Sequence, residues 1–353
     1  MPIPFQIPRL LPAIGLLTLL GAASCTKDHP MAAQTLTDSV YNNRLQFLIQ
    51  DNFTFSTYFT GLQSTLMADT LEQGGRFTAL VSGNSGFSAS PWGVPSATYI
   101  LSNWTQTYAE DFFRYSILDG SYSMDSLPLG DDQELPTVGG FHVYVSKYVR
   151  GTDTTVTING AVLSGMDQAA TNGLLQALSQ PINPEESHTL SDCIHNDQTL
   201  TLFAAAMDRV HADTLLAGPG PYTVLAPVNA TFKALAGLGE GLSTMDSLLA
   251  ADTAVLGPLV RGQILYGRYF LNDLLRKYDG TDTVLLPAAD GKSVRFFEGA
   301  PEPWEAPVPS FLGTSATGTP TQIASAVWPV LQDLGDIPAG NGVVQKINQV
   351  LMP

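Results

Sequence analysis

From Phe55 onward the apolar residues Phe55, Phe59, Leu62 and Leu66 fall at steps of four, three and four, which places them on one face of an amphipathic helix. Gly74-Gly75 interrupts that pattern. Phe77 to Val81 follow as a mostly apolar run, the mark of a strand covered on both faces. The same order returns later in the chain. Phe203, Met207 and Val210 make a helical stripe with Thr201 at its N-cap, and Gly218-Pro219-Gly220-Pro221 break it. Tyr222 to Ala226 read as a second buried strand, ended by Pro227. A helix carrying Phe232 and Leu235 comes next, with Asn229 placed to accept a hydrogen bond from an otherwise unpaired amide at its start.

Spacing turns this likeness into a repeat. Asp69 and Asp213 lie 144 residues apart, Phe87 and Phe232 145, Tyr122 and Tyr269 147, and Asn172 and Asn341 169. So steady an offset predicts a duplicated unit, and its late jump predicts an insertion of roughly twenty residues in the second copy. The segment Glu298 to Pro338 contains Pro301, Pro303, Pro307, Pro309 and Pro320 together with Trp304 and Phe311. That composition predicts an extended, irregular excursion rather than more sheet, with aromatics available to a partner or folded back over their own domain. Pro181 to Ser187 reads as the linker between copies.

Between Pro91 and Tyr115 the first copy is rich in aromatic residues. Leu101, Trp104, Tyr108 and Phe112 fall at helical steps and are predicted to face the core, whereas Trp92, between Pro91 and Gly93, has no such assignment and is a candidate stacking surface. Phe141 to Val145 and Val156 to Ala161 alternate as strands, with Asn159-Gly160 as a tight-turn signal.

The stretch Gly218 to Phe232 resembles the first signature motif of the fasciclin-type adhesion domain, and Gly74 to Phe87 resembles a weaker version of it. Phe113 to Tyr122 and Gly262 to Tyr269 resemble the second motif, and the segments around Asn172-Gly173 and Asn341-Gly342 resemble the family's closing strand. The resemblance implies an α+β fold of two tandem fasciclin-like domains, each a wedge of two β-sheets flanked by helices: a degenerate one over 37–184 and a second over 185–353, with the insertion around 298–338. It also implies adhesion or interaction at a cell surface. In animal members a Tyr-His pair in the second motif is tied to integrin recognition. Ser116 and Gln263 stand at the His position here, so that property does not carry over.

Composition narrows the partners. Sixteen basic against thirty-two acidic residues give a formal charge of -16, which opposes nucleic-acid backbones and anionic lipid headgroups. Leu10 to Leu20 form an apolar run after Arg9, and Gly21-Ala22-Ala23-Ser24 precede Cys25. The run predicts a signal peptide over 1–24, and the small residues before Cys25 resemble a bacterial lipobox. That resemblance implies lipid attachment at Cys25, a tether over 25–36, and a lipid-anchored place in the cell envelope, at the outer membrane of a Gram-negative bacterium.

Catalytic templates are missing. Gly83-Asn84-Ser85-Gly86-Phe87 lacks the final glycine of a nucleophile elbow, Cys193 has no evident base partner, and the five histidines show no metal-ligand spacing. Asp131-Asp132-Gln133-Glu134 lacks the features of a calcium loop and reads as a solvated loop. The expectation is therefore no catalytic residue, no cofactor and no metal. The expected partner is an extracellular protein or polysaccharide, with Trp92, Trp304 and Phe311 as candidate contact residues; the alternative role is that of an accessory glycan-binding subunit in polysaccharide capture or uptake.

Overall fold

A computed structural model of the chain describes residues 43–89, 92–185, 189–234, 242–277, 284–299, 308–314, 320–325 and 335–351. The segment expected to be a signal peptide, Cys25 and Trp304 lie outside the described residues. Among the described residues no helix is long and apolar enough to cross a membrane.

The first repeat contains β1 (Phe77–Ser82), β2 (Ile117–Asp119), β3 (Gly130–Pro136), β4 (His142–Arg150), β5 (Asp153–Ile158), β6 (Ala161–Ala170) and β7 (Gly173–Leu178). They form one sheet in the order β2-β1-β7-β6-β5-β4-β3. A bridge from Leu118 to Thr137 brings the β2 edge back to the end of β3, so the sheet curls on itself. The long β6 joins what a wedge would keep as two sheets, and its two register shifts against β7 supply the bend.

The second repeat contains β8 (Tyr222–Pro227), β9 (Ile264–Tyr266), β10 (Val284–Pro287), β11 (Ser293–Gly299), β12 (Val308–Thr314), β13 (Pro320–Ser325), β14 (Ile337–Ala339) and β15 (Gly342–Ile347). The order β9-β8-β15-β14 reproduces β2-β1-β7-β6, with the parallel pair again central. The remaining four strands form a separate sheet, β10-β11-β12-β13. Here the sequence reading needs correction, because the insertion contributes β12 and β13 as sheet. The prolines do not prevent this: Pro320 opens an edge strand and Pro309 is the second residue of its strand, near an end where a missing N–H costs little. Phe311 is fully buried, its ring 5.5 Å from that of Phe296, and so it is not a contact residue.

Each repeat has its own interior. Tyr58, Phe87, Phe112 and Phe113 pack under the helices of the first, with Leu80, Tyr115, Leu118 and Val143 inside the curl. Phe203, Phe232 and Leu248, then Phe296 and Phe311, do the same in the second. The first helical stripe is shorter than its spacing predicts. It breaks into helices Ser56–Gln63 and Met67–Glu72, Leu66 is 73% exposed, and Tyr58 and Gly61 take the inward places. Gly61 is required there, since a Cβ would meet the Phe113 ring at 2.5 Å.

Matching hydrogen bonds fix the equivalence of the repeats atom by atom. Asn84 accepts from the Thr57 amide at 2.9 Å and donates to Phe53 O at 3.0 Å; Asn229 accepts from Leu202 N at 2.9 Å and donates to Gln198 O at 2.9 Å. Asn229 therefore caps the preceding helix, Thr201–Arg209, and not its own. Thr201 is the first residue of that helix, and its N-cap is Leu200. Asn172 likewise accepts from Leu45 N and donates to Leu71 O and Gln73 O, while Asn341 accepts from Leu190 N and donates to Leu216 O and Gly218 O. Each pair of partners differs by 145 residues. The glycine after each asparagine is dictated by close approach, because a methyl on Gly173 or Gly342 would strike the carbonyl oxygen of Phe77 or Tyr222 across the parallel pair.

Candidate functional site

The Asn159-Gly160 turn between β5 and β6 carries the first repeat onto the second. Asn159 adopts a left-handed φ of 46°, accepts from Tyr144 N at 2.9 Å and donates to Tyr115 Oη at 2.8 Å, while Tyr115 donates to His142 O at 2.6 Å. The turn is thus rigid before it meets a partner. Opposite it stand Phe270 and Asp336, whose nearest atoms lie 2.9 and 3.5 Å from where a Gly160 Cβ would sit.

Tyr144 leads the contact. Its ring packs with Phe270 and Val343 in a small cluster of its own, and the Arg268 guanidinium lies 3.3 Å from the ring centroid. Arg268 pairs with Asp132 at 2.7 Å, donates to Gly340 O at 2.9 Å, and keeps only 2% of its side chain exposed. Lys277 pairs with Asp131 at 2.6 Å, and Asn183 donates to Gly335 O at 2.8 Å. The acidic run that reads as a solvated loop is strand β3, and its two aspartates hold the second repeat. Nothing in the sequence signals this, because Arg268 falls at a position where the first repeat has Ser121.

The junction also reverses the electrostatics of one repeated carboxylate. Asp167 and Asp336 both accept from a glutamine side chain, Gln176 or Gln345, at 2.6 Å and from the backbone of a neighbouring loop. Burial acts to raise the Asp167 carboxyl, but Gln176, Ser123 and the amides of Asp125 and Met124 hold it below the ordinary value. Asp336 is half-buried as a residue, and its carboxyl lies against the Gly160 turn of the first repeat. Burial pushes it up to about 7 against the hydrogen bonds from Gln345 and Leu271, with the nearby Asp273 charge adding to the rise. Asp273, packed against Thr157 and Ser146 of the first repeat, is raised by burial to about 6. Both native-state values lie above 3.8, so the folded chain holds more protons between about pH 4 and 7, and the stability these groups contribute is complete below that window and is lost as pH rises through it. Urea unfolding from pH 4 to 7 is expected to show the wild type losing up to about 4 kcal/mol relative to Asp336→Asn, because one extra proton held by the folded chain changes its stability by about 1.4 kcal/mol over each step of one in pH. Parallel profiles would contradict the raised Asp336 carboxyl.

Trp92 is half-buried, with its ring 5.7 Å from Phe112 and 6.5 Å from Trp104. Trp104 and Tyr108, 5.0 Å apart, are also half-buried, so the three form a partly open aromatic ledge. The predicted single helix is two, Ala97–Asn103 and Gln106–Tyr115, and Leu101 is 54% exposed rather than in the core. Ser116 and Gln263 occupy equivalent buried places. Ser116 shares a hydrogen bond with Tyr58 Oη at 2.7 Å, and Gln263 donates to Leu351 O at 2.7 Å, so neither faces a partner. Sequence spacing also misses a cluster of His195, Asp208 and Asp213, thirteen and five residues apart, which three short helices bring together.

Residues 53–184 match the family model described as the fasciclin domain. The match falls on the repeat whose motifs are weaker in the sequence. Among curated proteins, the chain is 26% identical over 199 residues to transforming growth factor-beta-induced protein ig-h3 of Oryctolagus cuniculus, covering 55% of this chain and 27% of that protein. It is 24% identical over 255 residues to periostin of Homo sapiens, covering 72% and 27%. The chain spans about a quarter of the length of these relatives, 27% in each case. Among solved structures, a FAS1 domain pair from the insect cell adhesion molecule Fasciclin I aligns with a TM-score of 0.37 at 15% identity, covering 84% of this chain and 96% of that one.

Proposed function

We propose that this chain is a cell-envelope lipoprotein, anchored through Cys25 at an outer membrane, that uses two fasciclin-like repeats to adhere to an extracellular protein or polysaccharide. Binding, and not catalysis, is its activity. The observation that carries this reading is the fasciclin-domain match over residues 53–184. The buried junction through Tyr144 and Arg268 supports it further, because two repeats fixed against each other present a surface without first losing interdomain freedom. In cells making the full-length protein, Cys25→Ala is expected to abolish palmitate incorporation, and deletion of the protein to reduce attachment to surfaces coated with matrix protein or polysaccharide. Attachment unchanged by deletion would refute adhesion, and labelling that persists in the variant would refute the anchor.

The aromatic ledge favours a second reading, capture of a glycan by stacking on Trp92, with Trp304 as a further candidate from the sequence. On a glycan array Trp92→Ala is expected to weaken a hit by roughly ten-fold, which corresponds to about 1.4 kcal/mol. Trp92→Phe, which keeps the packing against Phe112, separates stacking from stability. Hits indifferent to Trp92→Ala and Trp304→Ala would remove this reading.

A further inference from the structure

Helices Leu190–Asn196, Thr201–Arg209 and Asp213–Leu216 meet at a corner of the second repeat, where His195, Asp208 and Asp213 offer ligand atoms that all lie within 4.8 Å of one another. The imidazole is oriented by the backbone. Its Nδ1 lies 2.7 Å from the Ser191 carbonyl oxygen, which only accepts, so the proton sits on Nδ1 and the lone pair of the neutral ring is at Nε2. That lone pair faces Asp208 Oδ1 at 3.0 Å. Two electron-rich atoms at that distance need a cation between them, either a proton or a metal ion. Ser191 Oγ donates to Asp213 Oδ1 at 2.8 Å and steadies the third ligand. Backbone and hydroxyl partners behind the ligands are the usual support of a metal site.

Two further facts separate this cluster from an ordinary surface ion pair. Among the described residues no lysine or arginine pairs with Asp208 or Asp213, and the adjacent Arg209 is committed to the carbonyls of Leu249 and Ala251. The constellation is also unnecessary for the fold. In the first copy Gln50 and Gln63 stand 145 residues before His195 and Asp208, Asp69 stands 144 before Asp213, and the same three-helix corner forms without the imidazole.

We propose that His195, Asp208 and Asp213 form a binding site for a first-row divalent cation such as Zn²⁺. An imidazole nitrogen with two carboxylate oxygens suits zinc, whereas calcium and magnesium prefer oxygen alone. Metal–ligand bonds of about 2.0–2.1 Å in tetrahedral geometry place neighbouring ligand atoms about 3.3 Å apart, near the 3.0 Å between His195 Nε2 and Asp208 Oδ1, and Asp213 closes on them within the 4.8 Å span of the cluster. His195 and Asp208 are exposed and Asp213 is half-buried, so the cluster is reached from solvent.

The test is a calorimetric titration of the full chain with ZnCl₂ after removal of metals, repeated with CaCl₂. The expected result is one equivalent of zinc, weakened at least ten-fold in His195→Gln and in Asp208→Gln, with no calcium response at the same concentrations. These variants install what the first repeat carries at the same places, so they are expected to fold, and circular dichroism verifies it. A rise in melting temperature on adding zinc, present in the wild type and absent in both variants, is the second readout. Zinc that does not bind, or that binds the variants as tightly as the wild type, overturns the proposal.

Discussion

Arg268→Ala is expected to destabilise the folded chain by about 3–5 kcal/mol, the combined cost of buried carbonyls left without a donor and a space opened over an aromatic ring. It is also expected to split a single unfolding transition into two. Arg268 is where the two repeats are joined: the same guanidinium stacks on Tyr144, pairs with Asp132 and donates to Gly340 O. The ion pair is not the main loss. Burial raises the Asp132 carboxyl despite Arg268 beside it, so Asp132 can take up a proton when the partner leaves. The larger costs are carbonyls left without a donor and an empty space over the Tyr144 ring. Arg268→Lys keeps the charge but not the planar fork, and should fall between wild type and alanine. Fluorescence of Trp92 and Trp104 in the first repeat, measured with Trp304 and Trp328 of the second replaced by phenylalanine, together with far-ultraviolet circular dichroism during urea unfolding, resolves the transitions. One coincident transition in Arg268→Ala with a loss below about 1 kcal/mol would show that the junction does not couple the repeats.

The second large effect is predicted for the paired asparagines. Asn172→Ala leaves the Leu45 amide and the Leu71 and Gln73 carbonyls unpaired, all previously bonded at 2.7–2.9 Å. At about 1–3 kcal/mol for each buried group left unsatisfied, the Leu45 amide and the Leu71 carbonyl give a loss of about 2 kcal/mol or more, to which the part-buried Gln73 carbonyl adds. Asn341→Ala removes the same three bonds from the second repeat, but its bond to Gly218 O is longer, at 3.4 Å, and the residue is only half-buried. Its loss should therefore be smaller. Thermal or urea unfolding of the two variants measures the order, and a larger loss for Asn341→Ala would mean that bond length and burial do not set the cost here.

The tight turn that the sequence suggests at Asn159-Gly160, and the closing strand that it suggests around Asn172-Gly173, understate what these asparagines do. Both asparagines tie together segments distant in sequence, and no local pattern distinguishes such a tie from a simple turn. Phe311 shows the opposite error. Its proline-rich setting makes it a candidate contact residue, but pairing of β12 with β11 and β13 supplies backbone partners and turns the ring inward.

The amino-acid sequence by itself determined the duplication, the buried strands Tyr222 to Ala226 and Phe77 to Val81, and the glycines that the parallel pairs demand. Those features rest on hydrophobic periodicity and backbone sterics, which act over a few residues and so leave a readable local mark. Only the tertiary structure decided that Arg268 lies over Tyr144, that the Asp336 carboxyl is raised where that of Asp167 is lowered, and that His195 faces Asp208. Each of these depends on which distant segment covers or meets a side chain, and burial and Coulomb interactions are set by distance in space, to which spacing along the chain is blind.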